Sequence, residues 1–114
     1  METTDNAAIL LIADNEDDAF FMARAVEDAG LSVPFKIARD GQAAIDYLAG
    51  QGVFADRKEY PLPGVIFLDL KLPFVPGLDV LQWIRRQPEL VKVVVIVLTV
   101  SHEPVDLNRA YQLG

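Results

Sequence analysis

Unbroken apolar runs that each stop at a polar residue constrain this chain more than any other feature. Ala8-Ile9-Leu10-Leu11-Ile12-Ala13 stops at Asp14, Val65-Ile66-Phe67-Leu68 stops at Asp69, and Val93-Val94-Val95-Ile96-Val97-Leu98 stops at Thr99. Runs this short and this rich in β-branched residues read as strands buried on both faces, which occurs where helices cover a parallel sheet on two sides. A fourth, weaker run, Val33-Pro34-Phe35-Lys36-Ile37-Ala38, carries a proline at its start and suits an edge strand.

The segments between these runs have helical spacing. Phe21, Met22, Ala25, Val26 and Ala29 follow Asn15 as N-cap, with Glu16 to Asp18 in a first turn favoured by the helix dipole and Gly30 as the stop. Asp40-Gly41 opens a second helix with Ala44, Ile45 and Leu48 inward, and a third runs from about Gly77 to Arg86 with Leu78, Leu81 and Ile84 inward. Trp83 falls off that face, either as a partner-binding residue or as a half-buried ring. A last helix begins at Ser101 or Glu103, with Pro104 in its first turn and His102 facing solvent. The segment from Gly50 to Tyr60 reads as a polar loop onto which Phe54 and Tyr60 fold back. Four strand-helix alternations predict one α/β domain, residues 1–114, with a doubly wound parallel sheet.

Charge and composition narrow the function. With 52% hydrophobic residues the chain is no disordered tail, and its longest apolar run is far short of a membrane span. Seventeen acids against ten bases, a net charge of -7, argue against direct nucleic-acid binding and for a cation or a basic protein face. The absence of cysteine excludes disulfides and thiolate metal sites; with no basic leader at Met1-Glu2-Thr3, it agrees with a cytoplasmic protein.

In open α/β sheets the site lies beyond the carboxyl ends of the strands, where strand order reverses. In the flavodoxin-like order 2-1-3-4, Asp14 and Asp69 share that crevice, with Thr99 beside them. Two close carboxylates repel, and a hard divalent cation, most simply Mg²⁺, neutralises them. A carboxylate also serves as phosphoryl acceptor where a hydroxyl such as that of Thr99 steadies the charge, so the three positions suggest an aspartyl-phosphate site.

The sequence resembles the receiver domains of bacterial two-component response regulators. The likeness covers nearly the whole chain, through Ile9-Leu10-Leu11-Ile12-Ala13-Asp14-Asn15, Asp40-Gly41, Ile66-Phe67-Leu68-Asp69-Leu70-Lys71-Leu72-Pro73, Pro76-Gly77 and Val95-Ile96-Val97-Leu98-Thr99-Val100-Ser101. The long loop before Tyr60-Pro61 and the Leu98-Thr99-Val100-Ser101-His102 run look most like the stand-alone regulators of bacterial phytochromes. That resemblance implies phosphorylation of Asp69 by a sensor histidine kinase, such as a phytochrome-type photoreceptor. It also implies Mg²⁺ held by Asp14, Asp69 and the backbone carbonyl of Lys71, a switch through Thr99, and output by protein contacts or dimerisation.

Several positions depart from the family. Ala13 stands where an acid is usual, Lys71 occupies a position that tunes the phosphoryl chemistry, and Val100 is bulkier than the usual small residue. The Lys71 ammonium either pairs with Asp69 or Asp14 and replaces part of the cation's charge, or reaches solvent. The family continues into a fifth strand bearing a lysine, then a fifth helix; neither is among these residues, and if the protein consists of these residues alone, Val93 to Leu98 is expected to be an apolar edge that self-associates. Two competing readings stand beside the receiver. One is a pseudo-receiver that binds a partner without phosphorylation; the other is a phosphatase of the haloacid dehalogenase kind, which needs a second acid where Lys71 stands.

Overall fold

The computed structural model describes residues 8–98. The expected last helix, with Ser101, His102 and Glu103 at its start, and the residues Thr99 and Val100 lie outside the described residues. In chain order the elements are β1 (Ala8–Ile12), α1 (Glu16–Asp28), β2 (Phe35–Ala38), α2 (Gly41–Ala49), β3 (Pro63–Leu68), α3 (Gly77–Arg85) and β4 (Val94–Val97). Among the described residues the strands form one parallel sheet in the order β2-β1-β3-β4, so the flavodoxin-like order expected from the sequence is found.

Strand alternation sorts the apolar side chains onto two faces. Leu10, Ile12, Ile66 and Leu68 point to the face covered by α2 and α3, where they join Ala44, Tyr47, Leu48, Val80, Leu81 and Ile84. Leu11 and Ala13 point the other way, onto Ala19 and Met22 of α1. β1 is therefore buried along its whole length, as its unbroken apolar run requires.

The caps follow the sequence closely. Asn15 Oδ1 accepts the Asp17 and Asp18 amides at 2.7 and 3.1 Å, and Asp40 Oδ1 accepts the Ala43 amide at 2.7 Å. Gly30, at φ +75°, directly follows Ala29, the C-cap of α1.

The inward faces of the helices differ from expectation. In α3 the buried stripe is Gly77, Val80, Leu81 and Ile84; Leu78 is only half-buried, because the i, i+3, i+4, i+7 row starts at the glycine. In α2 Tyr47 is buried and Ile45 only partly so. In α1 only Ala19 and Val26 are buried, while Phe21 is 67% exposed. The small side chain of Ala19 lets that helix sit close on β1, and Phe21, two positions on, lies off the contact row.

The expected polar loop is a folded segment. It contains a 3₁₀ turn at Gly52–Ala55, and Phe54 and Tyr60 do fold back, packing on each other and on Tyr47. Arg57 fastens it: Nη1 donates to the carbonyls of Tyr47 and Tyr60 at 2.8 and 3.1 Å, and Nη2 to that of Leu48 at 2.9 Å, which gives carbonyls in the last turn of α2 a side-chain donor. Strand β4 is shorter and less buried than its sequence suggests. It spans Val94–Val97, and Val94 and Ile96 are 53% and 41% exposed, because β4 is the outermost of the described strands and its alternate residues point away from the α2–α3 core.

Candidate functional site

The site grows out of the ladder at the carboxyl ends of the strands. Ile12 pairs with Leu68 and Leu68 with Val97, and the pairing runs one step further: the Asp69 amide donates to Ile12 O at 2.9 Å and the Leu98 amide to Leu68 O at 2.9 Å. Ala13, Asp69 and Leu98 therefore form one row across three strands, on the face covered by α1. Strand order reverses between β1 and β3, which makes this the switch-point crevice of the fold.

Asp69 is half-buried, and its Oδ1 accepts the backbone amide of Lys71 at 2.8 Å. That turn fixes the carboxylate and leaves Oδ2 without a partner among the described residues. The crevice in front of it has a volume of about 380 Å³, and among the described residues Ala13, Asp18, Phe21, Met22, Ala25, Asp69 and Leu98 line it. Asp14, the other carboxylate singled out from the sequence, is exposed at the same end of the sheet and outside that lining.

Asp18 was assigned from the sequence to the helix dipole alone, yet it lines the crevice with Asp69. The signal was legible: Asp18, Phe21, Met22 and Ala25 stand at i, i+3, i+4 and i+7 from the third helical residue, one face of the first two turns. Ala13 is 1% exposed and packed among Leu11 and Ala19, so the acid usual at that position would stand directly beside Asp69. Lys71 is exposed, and its ammonium makes no ion pair with Asp14 or Asp69 among the described residues. Trp83 is half-buried against the α2–α3 core, lining a groove with Leu48, Arg57 and Leu62 at the carboxyl end of α3, away from Asp69. Thr99 and Val100 lie outside the described residues.

The loop after Asp69 closes tightly. Gly77 donates to Leu70 O at 3.1 Å, and a Cβ on Gly77 would stand 2.5 Å from Leu70 Cα and 2.6 Å from Asp69 O. Only glycine allows α3 to start this close to the acid.

A reversing parallel sheet that carries a fixed, partly solvated carboxylate to its switch point defines a receiver domain, and the chain belongs to the response regulator receiver domain family, whose model matches residues 9–114. This places it among two-component signalling proteins. Among individual proteins it is 40% identical over 111 residues to the probable methanogenesis regulatory protein FilR2 of Methanothrix harundinacea (strain 6Ac), covering 97% of this chain and 69% of FilR2. It is 34% identical over 112 residues to the response regulator Rcp1 of Synechocystis sp. (strain ATCC 27184 / PCC 6803 / Kazusa), covering 98% and 74%. The Mn²⁺-bound form of Rcp1 superposes with a TM-score of 0.86 over 94% of this chain and 75% of that one, at 34% identity. The phosphorylated cyanobacterial phytochrome response regulator RcpA gives 0.87 over 95% and 75%, at 31% identity. The phytochrome likeness read from the sequence thus holds at the level of relatives. No helix among the described residues is long and apolar enough to cross a membrane.

Proposed function

We propose that Asp69 accepts a phosphoryl group from the phosphohistidine of a sensor histidine kinase, and that the phosphorylated surface then signals through protein contacts. The observation that carries this reading is the Asp69 carboxylate, lining the crevice and held through Oδ1 by the Lys71 amide, with Oδ2 unpartnered among the described residues. Attack of Oδ2 on phosphorus forms a P–O bond while the P–N bond to the imidazole breaks, and the imidazole nitrogen leaves with the electron pair and takes up a proton. Thr99 is proposed as the hydroxyl donor to the phosphoryl oxygens and Val100 as a modulator of access beside it. With a net charge of -7, the donor surface is expected to be basic.

The donor atoms fit Mg²⁺. Asp14, Asp69 and the Lys71 carbonyl are proposed as its ligands, and all three offer oxygen, the donor a hard divalent cation takes. A small set of oxygen ligands suits a cation that keeps several of its waters. When bound, Mg²⁺ would neutralise charge on the transferring group. That Rcp1 has a Mn²⁺-bound form supports a divalent ion here. The relation to the phytochrome regulator RcpA supports a phytochrome-type kinase as the donor.

The test is intact mass after incubation with acetyl phosphate and Mg²⁺, with Asp69→Asn beside the parent. A phosphoryl adduct on the parent that is lost in Asp69→Asn is the expected result. No adduct on the parent would favour the pseudo-receiver, the reading supported by an apolar Ala13 in the same row as Asp69.

A further inference from the structure

The Asp69-to-Gly77 loop contains the one non-glycine residue with positive φ among the described residues, Phe74 at +68°. The Val75 amide donates to Pro73 O at 2.7 Å, which closes a three-residue γ-turn centred on Phe74, in the strained hand that bulky residues avoid. The Phe74 ring is 92% exposed. A benzyl group in solvent on a strained backbone costs stability twice, and asparagine or glycine would fit the turn with less strain.

The neighbours leave the turn no freedom to relax. Pro73 and Pro76 fix their own φ angles on either side. A Cβ on Gly41 would stand 2.7 Å from Val75 Cβ and 2.9 Å from Val75 O, so the start of α2 presses directly on the loop. At the other end Gly77 sits against the Asp69 carbonyl. The loop thus leaves and returns at Asp69, with Phe74 at its tip, pushed outward by rigid supports. Strain that the surroundings over-determine at a functional loop points to a use for the residue that bears it.

Resting on the phosphoacceptor reading above, we propose that Phe74 is an aromatic anchor for the protein that delivers the phosphoryl group, inserting into an apolar socket beside that protein's phosphohistidine. A protein that seats its histidine on Asp69 must cover a loop whose two ends both lie at Asp69. A ring carried on a fixed backbone, with only two side-chain torsions to order, loses little freedom on docking, a property of the aromatic residues that anchor interfaces.

The test compares two phosphodonors on the full chain. Acetyl phosphate needs no docking surface; autophosphorylated sensor-kinase cores, a panel that includes bacteriophytochrome kinases, do. Phe74→Asn, which tolerates the turn, is expected to keep its acetyl phosphate rate within about two-fold and to lose about ten-fold in kcat/KM with the kinase that phosphorylates the parent, through KM. Phe74→Tyr is expected to retain transfer. Unchanged kinase transfer in Phe74→Asn overturns the proposal, and so does an equal loss with both donors, which would make the turn a positioning element for Asp69. A parent that acetyl phosphate labels but no kinase of the panel phosphorylates also overturns it. A parent that acetyl phosphate fails to label overturns the phosphoacceptor reading itself, and the anchor with it.

Discussion

At the scale of single residues, Ala13 and Tyr47 are the most instructive. Ala13 replaces a carboxylate in the row that contains Asp69, and it is packed rather than solvated. Ala13→Asp is therefore expected to lower the metal-free melting temperature, by about 2 kcal/mol of stability, since it buries a charge beside a like charge. Mg²⁺ should restore much of that loss and bind about ten-fold tighter than in the parent, as thermal melts across a Mg²⁺ titration would show. Tyr47 is buried with its hydroxyl donating to Pro61 O at 2.8 Å, and burial, against the opposing pull of Arg57, pushes its phenol up to about 12. Because the folded value lies above the ordinary value of 10.0, the folded state holds the proton longer than the unfolded one. The associated stability is complete below pH 10 and drains away as pH rises toward 12. Denaturant melts between pH 9 and 12 should show that slope, and Tyr47→Phe should flatten it while costing about 1 kcal/mol at neutral pH. The sequence gives no sign of this: Tyr47 sits in a helical segment where Ile45 looked the better core residue, and only the return of the chain at Pro61 gives the hydroxyl a partner.

At the scale of elements, the start of α3 is the tightest junction. Gly77 touches Leu70 and the Asp69 carbonyl so closely that a methyl group has nowhere to go. Gly77→Ala is expected to destabilise the fold by about 2 kcal/mol or more and to slow labelling of Asp69 by acetyl phosphate, because relief requires moving the backbone that carries the acid. Chemical denaturation and intact mass on one preparation would read both. Caps were legible because their hydrogen bonds are local: Asn15 and Asp40 each satisfy amides two or three residues ahead. The Arg57 clasp was not, since it joins the Tyr47 and Leu48 carbonyls, ten and nine residues back in α2, to the loop, and no spacing rule links them.

At the scale of the whole molecule, the apolar side chains left in solvent matter most. Val94 and Ile96 of the outermost described strand and Phe21 of α1 all lie on or beside the face opposite the α2–α3 core. Exposed apolar side chains on an outer strand favour association even on a chain of net charge -7. For a protein made of these 114 residues alone, we expect sedimentation at micromolar concentrations to show a dimer or larger species, and Val94→Lys to return it toward monomer. A monodisperse monomer in the parent would refute the expectation.

Composition and periodicity determined the element order, the two-sided burial of β1 and the delivery of Asp69 to a strand end, because each depends on neighbours close in the chain. The strand order 2-1-3-4, expected by likeness to the flavodoxin-like fold, held in the sheet. Tertiary structure alone decided which side chains line the Asp69 crevice. It placed Asp18 rather than Asp14 in the lining of the Asp69 crevice, aligned Ala13 with Asp69 in one row, and set Phe74 outward on a strained turn. Those outcomes depend on how α1 and the Asp69–Gly77 loop pack against strands distant in sequence, and side-chain direction at a strand end is fixed by that packing and not by any local pattern.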